Sequence, residues 1–157
     1  ISPQKVDRAI WASFLRSCKG LIGGESGSYY LDPTGDIIHN ARRYLEEHPA
    51  ASLAELQQAC FTEVPFHFSG KCISSRHFEP IGTKTCQVLL EGRYNDILKP
   101  DVHYIAVRKD HSNIEEAIQR LKDEDYRRQM VDRTYEYVMA EHTYAHRVRQ
   151  VIRLLGM

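Results

Sequence analysis

The sequence lacks net charge: 21 lysines and arginines stand against 21 aspartates and glutamates in 157 residues. That balance gives no reason to expect nucleic acid or an anionic membrane surface as a partner. It also lacks any apolar run near the ~20 residues that a membrane-spanning helix needs, so no membrane span is expected. No leader pattern opens the chain, which begins at Ile1 rather than Met. It is therefore expected to be a fragment or a processed product. Cysteine is sparse, and Cys18, Cys60, Cys72 and Cys86 form no C-x-x-C pair. An even count permits disulfides, but nothing else suggests a small stapled secreted domain, and a reduced cytoplasmic protein is the simpler reading.

Several chemical signatures are missing too. The spacing of a phosphate-binding P-loop is absent, as is the dinucleotide pattern G-x-G-x-x-G. Ser26 lies in Glu25-Ser26-Gly27 rather than in G-x-S-x-G, which excludes a hydrolase nucleophile elbow. There is no H-E-x-x-H. His142 and His146 are four apart on an expected helix, but the sequence names no third ligand, so no metal and no cofactor are expected. The tyrosines and arginines of the C-terminal third are interleaved with acids, which is the pattern of a solvated face.

What is present is a soluble composition, 42% hydrophobic and 27% charged, long enough for one ordinary domain. Apolar residues at Val6, Ile10, Trp11, Phe14, Leu15 and Cys18 recur near the helical period and predict a helix ending at Lys19-Gly20. Leu21-Ile22 reads as a buried strand opening into Gly23-Gly24-Glu25-Ser26-Gly27-Ser28. A helix is predicted over 36–48, closed by Pro49. Another follows Ser52, which forms a capping-box pair with Glu55. Pro65 to Gly70 reads as irregular or a short edge strand. Cys86 to Leu90 and His103 to Val107 are strands. Ser112 and Glu115 are expected to form a second capping box, and helices carrying Tyr126 to Val138 and Tyr144 to Leu155 complete the chain. Strands alternating with helices predict an α/β fold with a Rossmann-like, mostly parallel sheet and a helical C-terminal tail. So few strands suggest part of a larger doubly wound domain, or one that packs on something else.

The most informative stretch is Ser74-Ser75-Arg76-His77-Phe78-Glu79-Pro80-Ile81-Gly82-Thr83-Lys84, leading into the strand at Cys86. It predicts a short helix beginning near Ser75, a glycine turn and a buried strand. In open α/β sheets ligands sit beyond the carboxyl ends of the strands, near helix N-termini whose free N–H groups suit phosphate. Arg76 adds a planar cation able to grip phosphate oxygens, and Glu79 a carboxylate able to accept from sugar hydroxyls. The same spacing equally allows a surface Arg76–Glu79 ion pair. Lys84 is either a further cation of the site or a solvent-facing turn residue.

From Arg76 to Leu90 this stretch resembles the R-x-F-E element of group 1-like glycosyltransferases of the GT-B fold, in their spore-protein-like branch. The resemblance continues through Glu91-Gly92, Tyr94 to Leu98, His103-Tyr104-Ile105, Asp110 and Asn113. It ends in Glu141-His142-Thr143-Tyr144 and Arg147. Upstream, residues 23–28 with Asp32 and Gly35 are similar to the family's glycine-rich strand-end loop. The resemblance implies the C-terminal, nucleotide-sugar-binding lobe of a two-lobed transferase, with 1–157 as one domain and an insertion over 31–70. It implies that Glu79 holds the nucleotide's ribose, while Ser75, Arg76, Gly82, Thr83 and Lys84 line the diphosphate and base. Glu25 matches the glutamate that faces the sugar, although Lys71 occupies the usual spacing for that residue. The implied partners are a nucleotide-diphosphate sugar donor, an unidentified glycosyl acceptor and an N-terminal lobe of the same parent chain. Two rival readings stand beside this one: a non-catalytic interaction domain on the same fold, and a helical binding module with an incidental strand pair.

Overall fold

The computed structural model of the protein describes residues 6–27, 32–62 and 70–156. The described chain falls into two compact units, Ile1–Ser26 with Cys72–Met157, and Gly27–Lys71.

The first unit is built on three strands, β1 (Gly20–Gly23), β2 (Cys86–Leu90) and β3 (Ile105–Val107). All pairs are parallel in the order β1-β2-β3, with Gly20 opposite Cys86 and Val88 opposite Ile105. The architecture is α/β and Rossmann-like, with a helical C-terminal tail. Successive β2 side chains alternate between two cores, as the strand's period of two requires. Cys86 and Val88 join Ile105, Val107, Ala117 and Met130 on one face, while Leu89 joins Ile81, Tyr94, Leu98, Tyr104 and Val138 on the other. Burial on both faces explains why β2 reads as a nearly unbroken apolar run.

A 3₁₀ turn at Arg8–Ile10 leads into helix α1 (Trp11–Ser17), which sends Leu15 into the core. The N-terminal helix, the short helix α4 (Ser75–Gly82) and the closing pair α6 (Glu124–Glu141) and α7 (Tyr144–Leu154) follow the apolar periodicity. In the second unit, α2 (Asp36–Glu47) starts with Asp32 accepting the N–H groups of Ile37 and Ile38. There α3 (Leu53–Cys60) carries the expected Ser52–Glu55 capping box.

Three expectations are corrected. Leu21-Ile22 does form a strand, but it is not buried: β1 lies at the edge of the sheet and Ile22 is 82% exposed. The strand expected over 103–107 shortens to Ile105–Val107, because the His103 N–H donates to Lys99 O and the His103 ring accepts the Lys99 N–H, holding 99–104 as a turn. The Ser112–Glu115 capping box does not form. Helix α5 (Ile114–Lys122) begins one residue later, and its N-cap Asn113 turns back to accept the Arg108 N–H and donate to Ala106 O. The stretch Pro65 to Gly70 lies, except for Gly70, outside the described residues.

Candidate functional site

Parallel strands deliver their carboxyl ends to one side of the sheet, and there the first unit gathers its polar loops. The segment Gly24-Glu25-Ser26 leaves β1, Glu91-Gly92-Arg93-Tyr94 leaves β2, and α4 begins beside them. Ser26 and Cys72 exchange both backbone hydrogen bonds, which pins the entry to α4 against the β1 exit. Arg76 Nη2 donates to Ser26 Oγ at 2.7 Å, and Ser26 Oγ donates onward to Ser74 Oγ at 2.7 Å. The Glu25 carboxylate accepts the Tyr94 N–H at 2.7 Å.

His77 ties these pieces to the core. Its Nδ1 accepts the Ser74 N–H at 3.0 Å, so Nε2 carries the proton and donates to Gly24 O at 3.1 Å. The ring is buried, and that burial lowers its pKa from the ordinary histidine value. A neutral imidazole thus bridges the helix start and the strand-end loop. Beneath it, Tyr94 stacks edge-on to His77 and packs on Tyr104. Burial raises the pKa of Tyr94, and it raises that of Tyr104 to about 12.

The residues expected at one site are divided between the ends of α4, about 12 Å apart for eight residues. Ser75 and Arg76 belong to the N-terminal end with Glu25. Thr83 and Lys84 belong to the other end and close the helix. The Thr85 N–H donates to Pro80 O and the Lys84 N–H to Ile81 O, which is a Schellman closure with Lys84 in the left-handed conformation, φ 54°. Lys84 consequently points to α6, where it pairs with Asp132 at 2.6 Å and lies over the Tyr135 ring. The Thr83 hydroxyl donates to the α4 carbonyls of Glu79 and Pro80. Neither side chain is directed toward Glu25 and Arg76.

Arg76 and Glu79 do not pair with each other. Arg76 turns to Ser26, whereas Glu79 Oε2 accepts the Trp11 indole N–H at 2.8 Å. Glu79, Ser74, Ser75 and Gly82 line a groove of about 630 Å³ between α4, α6 and α7, floored by Phe78, Ile81, Val138 and Met139. Ser74 belongs both to this groove and to the strand-end cluster. Arg76 thus faces the strand-end cluster, whereas Glu79 faces Trp11 and the groove.

His142 and His146, the pair with metal-ligand spacing, have other partners. His142 bonds the Tyr137 hydroxyl through Nε2 and Arg147 through Nδ1, and His146 Nδ1 accepts the Thr143 N–H at the start of α7. Among the described residues no helix is long and apolar enough to cross a membrane. The four cysteines are free, and burial raises the pKa of Cys86 to about 11.

Sequence reasoning did not find the turn after β2. Tyr94, Asn95 and Asp96 are consecutive left-handed residues, with φ of 46°, 54° and 59°. Asn95 Oδ1 accepts the Ile73 N–H at 2.7 Å, fixing the approach to α4. The available signal was Asn95-Asp96, since these residue types tolerate positive φ best after glycine.

Residues 13–153 match the family model described as "Glycosyl transferase-like". The chain belongs to that family. The match spans both strand-end loops and all of α4, so the cluster around Glu25, Ser74 and Arg76 lies inside the family region. No curated protein sequence matches this glycosyl transferase-like chain.

Proposed function

We propose that this chain is the donor-binding half of a GT-B glycosyltransferase of the spore-protein-like branch, taking a nucleotide-diphosphate sugar and passing its glycosyl group to an acceptor. One observation carries the reading: Glu25, Ser26, Ser74 and Arg76 converge where α4 begins, beyond the carboxyl ends of β1 and β2. A diphosphate there meets the free N–H groups of α4 and the Arg76 guanidinium. Glu79, one turn further along the helix, accepts from the ribose hydroxyls, and Glu25 faces the sugar. Ser75 and Gly82 contribute the helix surface beside the nucleotide. Thr83 and Lys84 are left with the roles they already have at the far end of α4.

Transfer asks little covalent chemistry of these residues. The sugar–phosphate bond breaks through an oxocarbenium-like state, and the departing diphosphate gains negative charge. Arg76 and the α4 N–H groups stabilise that charge, while the Glu25 carboxylate suits the positive sugar. The partner that completes the cleft is a second lobe of the parent polypeptide. Helix α7 and its C-cap offer it an exposed apolar side at Tyr144, Val148, Val151 and Leu155. The free thiols suit the cytoplasm proposed for the protein.

Arg76→Ala and Glu79→Ala test the assignment. Each removes a hydrogen bond to a charged group, so affinity for a uridine, guanosine or adenosine diphosphate-sugar should fall about 10–100-fold by calorimetry. Both side chains are exposed, and melting should barely move. Binding that survives both substitutions overturns the assignment. The exposed α7 face also fits a non-catalytic interaction domain. Transfer from a labelled sugar nucleotide by the full-length parent decides for the enzyme, and its absence despite donor binding decides for the interaction domain.

A further inference from the structure

The geometry points to Gly92 and the left-handed turn at Tyr94–Asp96 as the positioning device for Glu25, the element that fixes this carboxylate where a donor's sugar arrives. The inference rests on the proposed donor site, and it concerns residues outside the set assigned to that site above.

Three observations converge on it. First, a Cβ placed on Gly92 would lie 2.6 Å from Glu25 Oε2 and 2.7 Å from its Cδ. The carboxylate occupies the space that any other residue at 92 would fill. Gly92 is not among the residues with positive φ, so its backbone tolerates alanine, and the clash is with the far end of a flexible side chain. A methyl group at 92 therefore moves the carboxylate and spares the fold.

Second, the other carboxylate oxygen, Oε1, accepts the Tyr94 N–H at 2.7 Å. Tyr94 itself has positive φ, a conformation that L-residues other than Asn and Asp seldom adopt. The left-handed backbone begins at the residue whose N–H Glu25 accepts. Strain of this kind persists only where the surroundings over-determine it. Here they do: the Tyr94 side chain is locked in the core with its hydroxyl on Leu90 O, and Arg93 bridges to Asp96.

Third, the same turn reaches α4. Asn95 Oδ1 accepts the Ile73 N–H, so one three-residue turn sets the position of Glu25 on one side and the entry to the Ser74–Arg76 helix start on the other. Carboxylate and anion-binding helix end are thereby held at a fixed separation. A carboxylate fixed in place accepts hydroxyl hydrogen bonds without first being ordered, which is where preorganisation adds affinity.

The test uses this chain with UDP-glucose, GDP-mannose and ADP-glucose, each compared with its own nucleoside diphosphate by calorimetry. For the base that binds, Gly92→Ala should reduce the affinity gained from the sugar about tenfold and leave the nucleoside diphosphate unaffected. In a Glu25→Ala background Gly92→Ala should have no further effect, since it acts only through that carboxylate. Asn95→Gly, which keeps the left-handed backbone and removes the side-chain acceptor, should weaken sugar nucleotide and nucleoside diphosphate together. Independently of ligand, the Tyr94 amide resonance should shift on Gly92→Ala and on Glu25→Ala alike. Should Gly92→Ala fold poorly alone, folding restored by adding Glu25→Ala supports the same contact. A Tyr94 amide unmoved by either substitution, or additive effects in the double variant, overturns the inference while leaving the donor site standing. A wild-type chain that binds the nucleoside diphosphate as tightly as the sugar nucleotide overturns the sugar-facing role of Glu25, and this inference with it. Binding of no nucleotide defeats the donor site itself, while the Tyr94 resonance still decides the contact.

Discussion

Lowering the pH from 7.5 to 5.5 is expected to destabilise the protein, with the loss setting in below pH 6.5. The effect comes from His77, His103 and His142. Burial is the largest cause of the lowered pKa of each. Neighbouring cations add to it: Arg76 at His77, Arg133 and Lys99 at His103, and Arg147 at His142. Each ring also uses Nδ1 as an acceptor, from the Ser74 N–H, the Lys99 N–H and the Arg147 guanidinium respectively. Protonation destroys that acceptor. The sign follows directly. A histidine whose folded pKa lies below its unfolded value of 6.5 binds fewer protons when folded, so its stabilisation is full above pH 6.5 and is lost as the pH falls below it. The limiting slope is about 1.4 kcal/mol per pH unit for each histidine. Urea midpoints at pH 7.5, 6.5 and 5.5 measure it. A flat profile across that window contradicts the neutral assignment of the three rings.

Tyr94→Ala should cost about 3–5 kcal/mol of stability, the range for large core truncations. The side chain is fully buried between His77 and Tyr104, and its hydroxyl donates to Leu90 O at 2.6 Å. Tyr94→Phe keeps the packing and loses only that hydrogen bond, for about 1 kcal/mol. The contrast matters because Tyr94 serves two ends: its ring anchors the core and its N–H holds Glu25. Chemical denaturation of the two variants separates packing from hydroxyl. Equal losses in both would mean that the ring packing contributes little, contrary to the position of Tyr94 in the core.

Much of this layout was legible in the sequence because an apolar run and a helical period carried it. The apolar run Cys86-Gln87-Val88-Leu89-Leu90 identified β2, and the spacing of Met130, Thr134 and Val138 identified the buried face of α6. The α4 start at Ser75 and the capping box at Ser52 were local signals, and both formed. What failed was non-local. Nothing in Leu21-Ile22 tells that its strand sits at a sheet edge. Ser112 has the spacing of a cap, yet Asn113 takes the position because its amide can close the loop back onto Arg108 and Ala106. Lys84 stood in the right stretch of sequence for a phosphate ligand, but a helix end required a left-handed residue there and sent its side chain to Asp132. The Glu25–Gly92 contact joins residues far apart in the chain and had no sequence signature at all.

Amide chemical-shift mapping during titration with the best-binding nucleotide-diphosphate sugar measures the proposed recognition directly. Perturbations confined to Gly24–Ser26, Ser74–Gly82 and Gly92–Asn95 are the result foreseen for a donor bridging the strand ends and α4. Shifts centred instead on Lys84 and Asp132, or a spectrum indifferent to every such nucleotide, would contradict it.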